Sequence, residues 1–301
     1  MKKIYIALSL LGIGTSYFAQ QDAMFTQYMF NTLSVNPGYA GSADMLSINA
    51  ISRHQWISIA GAPTTQTLVL HGPIKSQKLG VGLSVVNDKI GPTKDLSFYG
   101  DFSYRLKLSE KSSLSFGLKG GINNLNVDLE SLGGTEVTDP AFQGSVAQLK
   151  PNFGFGLYYR TPKAYLGLSA PKLLQNQFAS GSTSLLQNRH YFLIAGLVTK
   201  LSENVAFKPT FLAKYSVNTP VSLDFTANFI IKDKVWLGAM YRLQDAVGGI
   251  VQLQLSKQLR LGYGYDYALS ELRGYTGGTH EIMLNYDFNF PKDGLVSPRY
   301  F

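Results

Sequence analysis

The chain has 301 residues, 15% of them charged against roughly 25% in soluble domains, and 13% aromatic. It has no Cys, which excludes disulfides, thiol nucleophiles and Cys-bound metals. A net charge of +8 would suit nucleic acid, but the Lys and Arg residues are scattered rather than clustered, and that partner is set aside.

Residues 1–19 read as a secretory signal peptide. Lys2 and Lys3 are its basic region, Ile4 to Ile13 its apolar run, and Ala19 the small residue before cleavage. Beyond it no apolar run approaches the ~18 residues of a transmembrane helix. An exported, strand-rich chain is then a secreted β-sandwich or an outer-membrane barrel. In residues 20–44, Met24, Phe25, Tyr28, Met29 and Phe30 fit one short helical face, and Asn36-Pro37-Gly38 stops any helix. This segment is expected to dock at the periplasmic mouth of the barrel as a plug.

Period-two alternation, the mark of a strand with one greasy and one wet face, then dominates. It predicts segments 45–55, 64–72, 78–87, 95–107, 112–126, 151–160, 163–171, 190–200, 204–216, 219–232, 234–244, 246–256, 258–269 and 278–290. These are fourteen, an even number as in bacterial barrels. Val221, Leu223, Phe225, Ala227 and Phe229 alternate with Ser222, Asp224, Thr226 and Asn228. Leu259, Leu261, Tyr263, Tyr265 and Tyr267 oppose Arg260 and Asp266. In the last segment Ile282, Leu284, Tyr286, Phe288 and Phe290 oppose Glu281, Met283, Asn285, Asp287 and Asn289. Segments 64–72, 163–171 and 190–200 alternate poorly.

Connections sort by length. If both termini are periplasmic, the turns on that side are short, and 127–150, 172–189 and 270–277 are long loops on the other, the asymmetry of an outer-membrane barrel. Arg105, Lys119, Arg160, Lys208, Lys214, Arg242 and Arg260 all fall on wet faces, where lipid imposes no penalty. The expected fold is all-β: a transmembrane antiparallel β-barrel of about 14 strands over 45–290, both termini periplasmic, with a tail 291–301. Tyr286, Phe288 and Phe290 are the expected insertion signal, because the membrane strand ends there. The tail, with Arg299, Tyr300 and Phe301, is then free for a second contact.

Little in the chain points to chemistry. His54, His71, His190 and His280 lie in four different segments without metal-ligand spacing. His280 and Glu281 face opposite sides of one strand. Gly117-Leu118-Lys119-Gly120-Gly121 lies within a strand, not at the strand-to-helix turn of a phosphate cradle. No catalytic residue, metal or cofactor is expected. Fourteen strands also fit a channel or transporter for small solutes, between small filled barrels and open porins. Loop 127–150, with Asp128, Glu130, Glu136 and Asp139, suits either an inward constriction or an outer partner contact.

Five stretches do not follow from barrel patterning. They are Asn36-Pro37-Gly38-Tyr39-Ala40-Gly41; Arg53-His54-Gln55-Trp56 with Gly61-Ala62-Pro63-Thr64-Thr65; Asn87-Asp88-Lys89-Ile90-Gly91-Pro92; His280-Glu281-Ile282; and Ser297-Pro298-Arg299-Tyr300-Phe301. Together, over the whole mature chain, they resemble the PorP/SprF family of outer-membrane proteins of the type IX secretion system in Bacteroidota. Gly38 departs from the Ala expected after Asn-Pro. The resemblance implies a non-enzymatic protein that helps type IX cargo, such as large gliding adhesins, to be secreted and held at the surface. Its partners would be a cargo C-terminal domain outside and secretion or gliding components in the periplasm, with membrane lipid around the wall. Arg53, Gln55 and Trp56 are expected to tie the first strand to the loop at Gly61–Thr65 and to meet a partner. Arg299, Tyr300 and Phe301 are expected to meet one on the periplasmic side.

Overall fold

The computed structural model describes residues 24–74, 77–128, 145–180, 183–217 and 219–288. The expected signal peptide, Phe290, the tail with Arg299, Tyr300 and Phe301, and most of loop 127–150 lie outside these.

Three helical turns come first, Tyr28–Phe30, Thr32–Val35 and Pro37–Tyr39. The strands that follow are β1 (Leu46–His54), β2 (Thr64–Ile74), β3 (Leu79–Ile90), β4 (Thr93–Lys107), β5 (Ser113–Asp128) and β6 (Ser145–Arg160). Next are β7 (Ala164–Ala170), β8 (Gln177–Ser180), β9 (Thr183–Leu186), β10 (His190–Leu197), β11 (Thr199–Lys200) and β12 (Val205–Ser216). The last are β13 (Ser222–Ile231), β14 (Val235–Arg242), β15 (Ala246–Gln254), β16 (Leu259–Ala268) and β17 (Thr279–Phe288). Strands β8 and β9 form a hairpin of their own, and β11 continues β10 past Val198. The others pair antiparallel in chain order, and β1 pairs β17, so Leu46 faces Phe288 and His54 faces His280. The result is a closed barrel of 14 strands with no free edge, as spanning a bilayer with strands requires.

All fourteen expected segments coincide with barrel strands. Their edges differ at one end. Strands β3 and β4 run on to a tight turn at Gly91-Pro92, and β6 starts six residues earlier than the pattern suggests. Lipid no longer enforces apolar alternation there, so hydrogen bonding between β3, β4, β5 and β6 carries on with polar residues such as Asn123, Asn124 and Asn126. The loop expected at 172–189 contains the β8–β9 hairpin, packed by Phe178 onto Leu125 and Val127.

The outward face is lipid-like. Leu83, Leu118 and Ile282 are each more than half exposed. Tyr191, Tyr215, Tyr241 and Tyr267 are exposed in a band near the end that carries loops 171–189 and 269–278, an aromatic girdle. We call this the long-loop end, and the opposite one, where β1 begins and β17 ends, the short-turn end. Tyr286 and Phe288 mark the girdle at the short-turn end, their rings 4.7 Å apart and edge-on. The inward face holds the charges: Arg53, Lys119, Lys208, Lys214, Arg242 and Arg260 are all buried, as are Asp101, Asp224, Asp266 and Glu281.

Placing a cation on the outward face should be costly. Leu118→Arg is expected to lower stability by about 2–4 kcal/mol, less if the site lies toward an interface. Leu118→Phe should be close to neutral. Urea unfolding in lipid vesicles measures both; equal midpoints would show that this face does not meet lipid.

Candidate functional site

The inward face is built around residues 24–44, which run the length of the lumen rather than resting at one mouth. At the short-turn end Asp44 takes 2.6 Å ion pairs from Arg105 and Arg160. Ser103 Oγ donates to the Ala40 carbonyl at 2.7 Å, and Gly41 N–H donates to His71 Nδ1 at 3.2 Å. The Tyr39 ring lies 5.0 Å from His71 and 5.3 Å, edge-on, from Tyr158.

The helical turn Pro37–Tyr39 explains why Asn-Pro-Gly stands here. Asn36 Oδ1 caps the turn by accepting from Gly38 N–H at 2.8 Å, and Asn36 Nδ2 donates to the Leu157 carbonyl on β6 at 2.9 Å. Pro at the first helical position suits a cap of this kind. The wall beneath is hollowed to receive it. A Cβ on Gly117 of β5 would collide with the backbone of Pro37 and Gly38, and one on Gly80 of β3 with that of Ala40. These glycines thus serve close backbone approach.

Further along, Ser169 Oγ donates to the Val35 carbonyl at 2.6 Å. Phe30 packs edge-on against Trp236 at 5.2 Å, and both rings lie within 5.0–5.5 Å of the Lys208 and Arg260 cations. Tyr28 Oη shares a 2.9 Å hydrogen bond with Thr210 Oγ1. The apolar side chains Phe25, Tyr28, Met29, Leu33 and Tyr39 form one cluster with Ile51, Val69, Tyr165, Phe192, Ile194, Leu212, Met240, Ile250 and Met283 from the wall.

Near the long-loop end the segment is gripped by charge. Glu281 accepts the backbone N–H groups of Thr26 and Gln27 at 2.9 and 2.8 Å, one on each carboxylate oxygen. Thr26 Oγ1 donates to Asp266 at 2.7 Å and accepts from Arg53 at 2.6 Å. The Arg53 guanidinium also pairs with Asp266 at 2.9 Å and Glu281 at 3.1 Å. Two carboxylates face one guanidinium, and the backbone donors of the segment balance the remaining negative charge. Beyond this point Ser222, the first residue of β13, donates to Met24 Sδ at 3.9 Å.

Arg53 therefore sits inside the lumen, 2% exposed, while Gln55 and Trp56 stand at the rim. Gln55 N–H bonds to the Pro63 carbonyl at 2.9 Å, holding the end of β1 to its own loop. Trp56 turns the other way: its N–H donates to Thr279 Oγ1 at 3.2 Å, and Ile57 exchanges backbone hydrogen bonds with Gly277 and Gly278. Loops 55–63 and 269–278 are thus tied together, leaving Ile57 and Tyr275 exposed on top. Asp266 and Glu281 were read on the wet faces of their strands, but without a partner, and Thr26 and Asp44 carried no signal in the sequence. Trp236 on the charged face of its strand was a readable sign of apolar material in the lumen.

Among solved structures, the fold resembles the CymD monoaromatic hydrocarbon channel, with a TM-score of 0.50 at 13% identity over 91% of this chain and 95% of that one. The P. putida toluene transporter TodX aligns over 87% and 95% with a TM-score of 0.49 at 12% identity. The Acinetobacter baumannii outer membrane protein Omp33 aligns over 82% and 98% with a TM-score of 0.47 at 10% identity. At such identities the likeness concerns the barrel alone. No curated protein matches the chain. The family model described as type IX secretion system membrane protein PorP/SprF matches residues 17–286, nearly the whole barrel and the segment that fills it. The chain is an outer-membrane barrel belonging to the PorP/SprF family of type IX secretion system membrane proteins.

Proposed function

We propose that this barrel is a non-enzymatic accessory of type IX secretion that holds a secreted cargo domain at the cell surface. The observation that carries the reading is the filled lumen. Most of its inward charges are committed to residues 24–44 or to each other, which disfavours open solute flow and leaves the rims for partners. The short-turn end faces the periplasm and the long-loop end faces outward, as the loop asymmetry of such barrels suggests.

Outside, the cargo C-terminal domain would rest on the tied loops 55–63 and 269–278. Tyr275 is 78% exposed there beside Glu271 and Arg273, with Ile57 and half-buried Trp56 and Gln55 alongside. An exposed aromatic ringed by polar groups is the composition of a binding hot spot. The raised β3–β6 wall and the β8–β9 hairpin complete this face. Inside, the tail with Arg299, Tyr300 and Phe301 would meet secretion or gliding components. A large surface adhesin is the class of cargo proposed.

Two variants test this. Replacing 177–186 by a short Gly-Ser link, or combining Ile57→Ser with Tyr275→Ala, should release cargo into the medium while the barrel stays folded. Full retention of cargo in both would contradict the outer docking face. Truncation after Pro291 should leave the barrel assembled and reduce cargo secretion. Loss of assembly would instead make the tail the insertion signal.

A further inference from the structure

We infer that residues 24–44 are a latched plug, and that their release opens an anion-preferring pore through the barrel. The inference goes beyond the docking role and rests on different atoms.

The first observation is where the segment is gripped. Near the long-loop end, Glu281 accepts two of its backbone N–H groups, and Thr26 lies between Arg53 and Asp266. Every one of these wall groups belongs to β1, β16 or β17 and survives without the segment. Arg53 and Asp266 stay paired at 2.9 Å, and the wall is closed by backbone pairing between β1 and β17. The grip is therefore separable from the barrel.

The second observation is what the segment covers. Near the short-turn end four cations point inward from strands spread around the barrel: Arg105 on β4, Arg160 on β6, Lys208 on β12 and Arg260 on β16. The segment lies against all four, and at Lys208 and Arg260 it shares that place with the Trp236 ring of the wall. Asp44 pairs with Arg105 and Arg160, and the Phe30 ring faces Lys208 and Arg260. Among the described wall residues that face inward at this level, Asp287 is the one carboxylate, and it is already bonded to Ser47 and Asn285. Withdrawal of the segment would strip Asp44 from Arg105 and Arg160 and uncover Lys208 and Arg260, so that four cations would line a water path. Rings of Arg and Lys select anions. The lumen is wide enough for such a path, because fourteen strands exceed the ~8 that side chains alone can fill.

Conductance of the purified chain in planar bilayers with a potassium chloride gradient tests this, with the shift in gel mobility on heating as the check on folding. The wild-type protein should be almost silent. Glu281→Ala removes two charge-assisted hydrogen bonds and leaves Arg53 paired, so open time should rise at least about tenfold. Thr26→Val should act in the same direction more weakly. Deletion of 24–44 should give steady conductance with a reversal potential on the chloride side, and adding Lys208→Gln and Arg260→Gln should move it toward zero. Should the deletion fail to assemble, the two point variants decide the matter. A wild-type protein as open as Glu281→Ala, folded variants that stay silent, or a pore that prefers potassium would each overturn the inference. None of these readings involves cargo, so docking and pore can fail separately.

Discussion

Lipid against the outer wall is the constraint on which everything else depends. A bilayer tolerates neither unpaired backbone groups nor charge near its centre. The first condition closes the sheet between β1 and β17. The second drives Lys, Arg, Asp and Glu to the inward face of each strand, into a lumen too wide for them to fill. Some meet across neighbouring strands: Lys119 with Asp101 at 2.9 Å, Arg242 with Asp224 at 3.0 Å. Others are completed by groups that lie off the wall, as Arg105 and Arg160 are by Asp44 and the Arg53, Asp266 and Glu281 cluster is by Thr26 and Gln27. Residues 24–44 supply them, with a carboxylate at Asp44, ring faces and backbone donors, together with apolar side chains that displace water.

The same arithmetic explains the stretches that resisted explanation as barrel pattern. Arg53 and Glu281, from two of them, meet at 3.1 Å around the start of the segment. Asn36 to Gly41, a third, is the part seated against the wall glycines. The remaining internal pair also meets. Thr65 donates to Asp88 at 2.6 Å, and Gly91 N–H donates to the Gly61 carbonyl at 2.8 Å, joining two loops at the rim. These residues fix the ends and the filling of the barrel, which alternation alone leaves free.

Much of the fold was legible for this reason. Lipid imposes period two on every strand, so all fourteen could be read, and the wet faces were the lumen. Legibility failed where another demand replaced lipid. Segments 64–72, 163–171 and 190–200 alternate poorly because Val69, Tyr165, Phe192 and Ile194 are inward yet apolar, matched to Leu33, Met29 and Tyr39. Met283 looked like a stray on the wet face of β17 and is fully buried against the same cluster. Strand ends were misplaced past the membrane, where hydrogen bonding continues without apolar alternation. The role of Arg53 could not be read, since its partners lie 213 and 228 positions away. The tie between Trp56 and Thr279 is equally distant in sequence, and no local pattern encodes it.

The claim that residues 24–44 run the whole lumen is tested most directly by a disulfide. Met24 and Ser222 are 198 positions apart and meet only if the segment reaches the long-loop end. The chain has no native Cys, so Met24→Cys with Ser222→Cys gives a single possible bond. Mild oxidation of the folded barrel in outer membranes should join the two sites in most molecules, read as a mobility shift that reductant reverses. Two free thiols in a barrel that is folded by its heat-shifted mobility would show that the segment does not thread the lumen.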